Sequence, residues 1–381
     1  MSNAPFHRAA GVLAVGLALC LAACAGRPRP ATVPAPPTVD LEFLGMAVLP
    51  GDLEISGVPV GGLSGLAWDA TTGTWLTVSD DAAVRGPARV YHLAIDLDNG
   101  RLTDQGLAVL ETIELRDKGG RPYAPHTVDP EGITLLPDGT FYVSSEGNAG
   151  QAIPPFVRHF APDGDLLDEI PLPPHVHPNG DGTRGVRQNT GLEALGLTAD
   201  TRWLFTATES ALAQDGPAND PDADSPARLL RYNRRNGKLA SEHIYMLGPL
   251  PALPDPPDGI AVKGVTELLP LTENDLLVLE RAYVQGRGNT VELYLATLHG
   301  ASDISNIPSL TAANLTPQRP LPKHLVLDFA TLGVPVDNLE GMALGPHFPD
   351  GRRLFIVVSD NNFNQETQLT QFLAFAMTPS S

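Results

Sequence analysis

The sequence predicts an all-β protein, a β-propeller of four-stranded antiparallel blades, and three observations predict it. One phrase recurs five times: a small or acidic residue, an apolar run, a turn, a second apolar run, then an acid. Successive openings lie roughly 60 to 75 residues apart, the spacing of radially repeated sheets rather than of one ordinary domain. The chain of 381 residues carries 37 glycines and 37 prolines, many of them in turns between the runs, as an all-β repeat protein requires. No stretch is long and periodic enough to make a major helix.

At the N-terminus, His7 and Arg8 lead into the apolar run Ala9 to Leu21. That run is too short for a permanent membrane span and ends in small residues, so residues 1–23 read as a signal peptide. The ending Leu21-Ala22-Ala23-Cys24 resembles a bacterial lipobox, which implies cleavage before Cys24 and lipidation of that residue. Residues 24–39 are Pro-rich and predict an extended tether, and residues 40–381 form the propeller domain. The expected location is the cell envelope, lipid-anchored on the periplasmic side of the outer membrane. Both cysteines, Cys20 and Cys24, fall in the leader and its cleavage site. The domain itself therefore has no thiol for a disulfide, a zinc site or a nucleophile.

The five openings are Gly62-Leu63-Ser64, Asp129-Pro130-Glu131, Gly191-Leu192-Glu193, Gly264-Val265-Thr266-Glu267 and Asn338-Leu339-Glu340. The copies close at Ser79-Asp80, Ser145-Glu146, Thr208-Glu209, Leu279-Glu280 and Ser359-Asp360. Within the copies, Thr72-Gly73, Asp138-Gly139 and Asp350-Gly351 join the first two runs, and Asn99-Gly100, Asp163-Gly164 and Asn236-Gly237 join a further pair. These dipeptides supply the positive φ of tight hairpins, so each copy reads as a four-stranded meander. The last copy lacks a fourth strand, and the unassigned run Leu41 to Val48 is placed to complete it. Such closure removes an exposed sheet edge. Five blades are counted, and a sixth has room between Gly286 and Thr331.

The first two strands of a copy form a hairpin, so its opening and closing acids share one edge of the blade. Asp80, Glu131, Glu146, Glu193, Glu209, Glu267, Glu280, Glu340 and Asp360 are accordingly expected on one rim. Carboxylates so gathered repel one another unless something positive intervenes. Hard divalent cations with oxygen ligands fit best, calcium above all, with Asn338, Asn361 and Asn362 as neutral donors. The other reading is that each acid satisfies backbone N–H groups at the channel entry. Arg187, Arg281 and Lys263 are the candidate phosphate-binding residues, against internal ion pairing. The loop holding His175 and His177, and His126, are weaker candidates for acid–base work. The loop Gln214 to Ser225 reads as solvated linker. The formal charge of −19 excludes nucleic acid as the natural partner. The expected partner is a small phosphorylated substrate or another small molecule, with a monomeric protein reaching the membrane only through its lipid.

Neither a Gly-x-Ser-x-Gly elbow nor a phosphate-binding glycine loop is present, which argues against the usual serine-hydrolase and nucleotide-binding chemistries. The strings Arg187-Gln188-Asn189-Thr190-Gly191-Leu192-Glu193, Leu277-Val278-Leu279-Glu280-Arg281 and Asp337-Asn338-Leu339-Glu340-Gly341-Met342 with Ser359-Asp360-Asn361-Asn362-Phe363 resemble the phytase-like domain family, described as having esterase-like activity of phytase. The resemblance runs from about Leu41 to the C-terminus and implies a β-propeller and a phosphoric-ester hydrolase. It hands over no catalytic list. Alternatives left open are a non-catalytic binding propeller and another calcium-propeller hydrolase such as a lactonase.

Overall fold

The computed structural model describes residues 38–312 and 315–378. The expected signal peptide, Cys24 and the tether up to residue 37 lie outside the described residues. Strand β1 (Asp40–Leu49) is followed by a minor hairpin, β2 (Glu54–Ile55) and β3 (Val58–Pro59). Blade 1 is then β4 (Leu63–Asp69), β5 (Thr74–Ser79), β6 (Arg89–Asp98) and β7 (Arg101–Glu114). Blade 2 is β8 (Pro130–Leu135), β9 (Phe141–Ser145), β10 (Phe156–Phe160) and β11 (Leu166–Ile170). Blade 3 is β12 (Leu192–Leu197), β13 (Trp203–Ala211), β14 (Ser225–Asn233) and β15 (Lys238–Leu247). Blade 4 is β16 (Ala261–Pro270), β17 (Asp275–Val284), β18 (Gly288–Thr297) and β19 (Lys323–Asp328).

Blade 5 combines β20 (Leu339–His347), β21 (Arg353–Ser359) and β22 (Thr370–Thr378) with β1, whose register runs from Asp40 opposite Thr378 to Leu49 opposite Thr370. The N-terminal strand thus closes the ring, as the unassigned run Leu41 to Val48 foretells. There are five blades. The interval between Gly286 and Thr331 holds the two outer strands of blade 4, joined by a long excursion, and not a sixth blade.

The core is not one mass but five layers, each between neighbouring blades. Trp75 and Tyr91 of blade 1 pack with Ile356 and Phe372 of blade 5. Val78 and Val90 meet Phe141 and Phe156, and Tyr142 and Val157 meet Leu204 and Leu230. Phe205 and Leu229 meet Val265 and Leu276, and Leu277 and Leu293 meet Phe355 and Phe375. Consecutive residues such as Leu276 and Leu277 serve opposite layers because strand side chains alternate in direction. Blades buried on both faces are why the strands read as near-continuous apolar runs.

The inner strands β4, β8, β12, β16 and β20 stand side by side around the axis. Glycines allow that approach: a side chain at Gly65 would collide with the backbone of Glu131 to Ile133, and one at Gly341 with that of Ser64 and Gly65.

Candidate functional site

Every inner strand breaks register at the same place: between Leu63 and Gly65, Pro130 and Ile133, Leu192 and Leu195, Val265 and Glu267, and Leu339 and Gly341. A bulge of this kind re-aims one side chain. The residues following Leu63, Pro130, Leu192, Val265 and Leu339 are Ser64, Glu131, Glu193, Thr266 and Glu340. Glu131, Glu193 and Glu340 line a central cup of about 1010 Å³. Ser64 Oγ donates to Glu131 Oε2 at 2.6 Å and lies 3.3 Å from Glu340 Oε2, tying blades 1, 2 and 5 together.

A second ring comes from the ends of the next strands. The N–H groups of Asp80, Glu146, Glu209 and Asp360 donate to the carbonyls of Gly62, Asp129, Gly191 and Asn338, and Gly264 pairs with Arg281 in the same register. Asp80, Glu146, Glu209, Arg281 and Asp360 therefore occupy one equivalent level, and all five line the cup. Glycine at 264 is required there because a side chain would overlap that of Glu209, and glycine at 62 because one would overlap Asp80.

Seven of the nine acids read from the sequence thus meet in one cup: Asp80, Glu131, Glu146, Glu193, Glu209, Glu340 and Asp360. Glu267 and Glu280 do not. In blade 4 the bulge level falls to Thr266 and the upper level to Arg281, so both acids sit one residue out of step, and a one-residue slip reverses a strand side chain. Glu267 Oε1 instead accepts the N–H groups of Leu195 and Leu268 at 3.0 and 2.9 Å. For this residue the backbone-satisfying reading is the right one. Glu280 accepts the Tyr245 hydroxyl at 2.6 Å and is ion-paired with Lys323, with Lys263 Nζ at 3.4 Å.

The bases also sort themselves. Arg187 is spent on two carbonyls, those of Ala211 and Gly216, at 3.0 and 2.8 Å. Lys263 belongs to the Glu280 pair. Neither lines the cup, so of the three candidate phosphate-binding residues only Arg281 does. Its guanidinium reaches Glu340 Oε1 at 2.7 Å and Glu209 Oε1 at 3.5 Å. Those neighbouring carboxylates raise its pKa against the opposing effect of burial.

His175 is not a free loop base: it is buried, 2.9 Å from Glu242 Oε1. Asp215, in the segment read as solvated linker, is buried against Arg228. His126 and Asn362 line the cup, while Asn361 Oδ1 is used by the N–H groups of Gly62 and Phe363.

Among the cup residues that escaped the sequence reading are Asp129 and Arg85. Asp129, with Glu131 and Glu146, presents ligand oxygens all within 4.8 Å of one another. The signal was its place at the head of copy two, aligned with Asn338 of copy five. Arg85, in the loop after Asp80, has no counterpart in the repeat that would mark it.

Burial is the leading cause of the upward pKa shifts. Desolvation, then Glu340, Asp129 and Asp81, push Asp80 up to about 8, with Arg85 working the other way. Burial lifts Glu209 to about 7 despite Arg281, and Asp129 to about 6. Glu131, Glu146, Glu193 and Asp360 are raised well above the carboxylate range by burial and by one another's charge.

Two buried oxygens, Asp80 Oδ1 and Glu209 Oε1, accept no hydrogen bond from the protein, which is costly unless another partner is present. The all-oxygen set of Asp129, Glu131 and Glu146, with such orphaned atoms in the same cup, fits a hard divalent cation better than zinc or copper.

A family model described as phytase-like, esterase-like activity of phytase, matches residues 58–363. The chain belongs to this family. It is also similar to an uncharacterized secreted protein of Arthroderma benhamiae, 26% identical over 196 residues, or 44% of this chain and 36% of that protein. This member thus spans little more than a third of that curated relative's length. Among solved structures it is similar to the periplasmic gluconolactonase PpgL of Pseudomonas aeruginosa, with TM-score 0.34 and 14% identity over 85% of this chain and 87% of that one. It is similar too to the Dos1 propeller, with TM-score 0.32 and 8% identity over 84% and 68%.

Proposed function

We propose that this phytase-like propeller is a calcium-dependent hydrolase of phosphoric esters. The observation that carries the reading is the cup: Asp129 and the seven acids from four blades gather around a single buried guanidinium. Asp129, Glu131 and Glu146 would hold an ion, with Asp80 Oδ1 as a further oxygen donor. When bound, the ion supplies a Lewis acid that lowers the pKa of water and polarises a phosphoryl oxygen.

The chain's own residues do the rest. Arg281 fixes the carboxylates of Glu209 and Glu340 and keeps a positive charge in the cup. Glu209, lifted to about 7, exchanges a proton close to neutral pH, the property a general base needs. Glu131 is oriented by the Ser64 hydroxyl and Glu146 by the Gly191 N–H at 3.1 Å, so these ligands are set before anything binds.

The N-terminal leader supports an exported, lipid-anchored protein with Cys24 as the acylated residue, and the secreted relative is consistent with export. Mass spectrometry of the membrane fraction tests this: a diacylglyceryl adduct on Cys24 is expected, and a free N-terminus elsewhere contradicts it.

For the activity, the full chain is assayed with calcium on a panel of phosphate esters and lactones. Phosphate release that EDTA abolishes and calcium restores is expected. Lactone opening alone would move the reaction class, and a ligand-dependent melting shift without turnover would make the cup a binding site.

A further inference from the structure

Ten carboxylates line the cup against two guanidiniums, Arg281 and Arg85. Arg281 is buried and held by two acids. Arg85 differs: its side chain is 44% exposed, its contact with Asp81 is shared with Arg89, and its guanidinium lies 4.1 Å from the centroid of the Phe363 ring. It is the accessible cation among the described residues of the cup.

Part of the same cavity's lining is apolar. Val84 and Ile260 are 49% and 67% exposed, two of the few large hydrophobic residues so exposed among those described, and both line this cavity with Val262, Tyr283 and Phe363.

This lining is built rather than incidental. Five non-glycine residues of the cup hold positive φ: Ala82 at 47°, His126 at 61°, Asn189 at 53°, Asn362 at 47° and Phe363 at 53°. Strain of that kind gathers where a shape is enforced. Phe363 is seated by its N–H bond to Asn361 Oδ1 at 3.1 Å and by Gly61 and Gly62, where a side chain would press on its ring.

We propose that the substrate is a monophosphate ester of an apolar or aromatic alcohol, with Arg85 holding the phosphate and Phe363, Ile260, Val262 and Tyr283 holding the alcohol, and not a polyphosphorylated polyol. The inference rests on the hydrolase reading above and sharpens it. Even about three bound divalent ions leave this lining net negative, which a single phosphate tolerates beside one arginine and a polyanion does not. A polyphosphate would need several free cations, and an apolar wall would desolvate its charges without compensation. Hydrolysis forms one P–O bond from water and breaks the ester P–O bond. The leaving oxygen takes up a proton, so the products are inorganic phosphate and the alcohol.

The test compares 1-naphthyl phosphate, glycerol 2-phosphate and inositol hexakisphosphate on the full chain with calcium. We expect kcat/KM for the naphthyl ester to exceed both others by at least about 10-fold, the discrimination an apolar pocket gives. Ile260→Ser should lower that ratio several-fold, while Leu325→Ser, at a residue 49% exposed on the outer strand of blade 4, leaves it unchanged. Arg85→Ala should raise KM for both monophosphates with less effect on kcat.

Equal or better turnover of inositol hexakisphosphate, or a ratio indifferent to Ile260→Ser, overturns the proposal. Should none of the three be hydrolysed, the hydrolase reading fails, and binding of the same compounds by calorimetry decides the rest. Tighter binding of 1-naphthyl phosphate that Ile260→Ser weakens supports the recognition surface. Its absence overturns it.

Discussion

Two buried carboxylate clusters in this propeller follow opposite charge rules. On blade 3, Arg228 is wholly buried and holds Asp215 through Nε and Nη2 at 2.5 and 3.0 Å and Glu242 through Nη1 at 2.8 Å. His175 adds a contact to Glu242, and the N–H of Leu310 adds one to Asp215. Each acid there has its partners within the chain. The loops carrying His175, Asp215 and Ile307 are pinned to the blade as a result.

In the central cup, ten carboxylates face two guanidiniums, of which only that of Arg281 is buried, and two of the carboxylate oxygens accept no hydrogen bond from the protein. The first cluster is complete as protein alone; the second becomes so only with added positive charge. Burial by itself does not distinguish a structural acid from a functional one, but the charge balance around it does.

The comparison breaks most visibly at Arg228. Arg228→Met strands two buried acids and is expected to cost about 3–5 kcal/mol, read by chemical unfolding. A loss below about 1 kcal/mol would mean that the cluster does not hold the loops. Next comes metal removal. Stripping divalent ions with EDTA should lower the melting temperature, and calcium at about 100 times its Kd should return about 2.7 kcal/mol, in wild type and in Arg228→Met alike.

The effect of pH follows from the raised pKa values. Acids whose folded pKa exceeds the unfolded value, near 4 for Asp and Glu, contribute stability that is present below that value. It is lost as pH rises through the folded pKa. The metal-free protein should therefore lose stability between about pH 4 and pH 8, the range set by Asp129 at about 6, Glu209 at about 7 and Asp80 at about 8. Calcium should flatten that slope, and melting curves across pH check both.

Asp80→Asn sharpens the point. It should stabilise the metal-free protein at pH 8 by about 1–2 kcal/mol while weakening calcium binding. The smallest effect is expected at Glu267→Gln, which keeps the acceptor for the Leu195 and Leu268 N–H groups and should cost no more than about 1 kcal/mol.

Much of this was legible in the sequence because a propeller writes each blade as the same local phrase. The five copies, the hairpin turns and the closing strand at Leu41 to Val48 all follow from periodicity. Blade 4 shows where that reading stops. Thr266-Glu267 and Glu280-Arg281 supply an acid beside each expected position, but only strand register tells which of two adjacent side chains faces the axis. Aligning Gly264 with Gly62 and Gly191 assigns the level to Thr266, and noting that Glu280 stands where other copies have Ser79, Ser145, Thr208 or Ser359 assigns the upper level to Arg281. Arg187 and Lys263 misled because proximity in sequence to an acid says nothing about which carbonyl or carboxylate ends up closest. Arg85 and Phe363 meet only when blades 1 and 5 close the ring, a contact between residues 278 positions apart (363 − 85).

The most direct test is calcium titration of the metal-free full chain at neutral pH by calorimetry, beside the Asp129→Asn/Glu131→Gln/Glu146→Gln variant and Glu267→Gln. Saturable binding that the triple variant loses and Glu267→Gln retains is the expected result. No binding to wild type, or binding that the triple variant keeps, would contradict the claim that these converging carboxylates form a cation site.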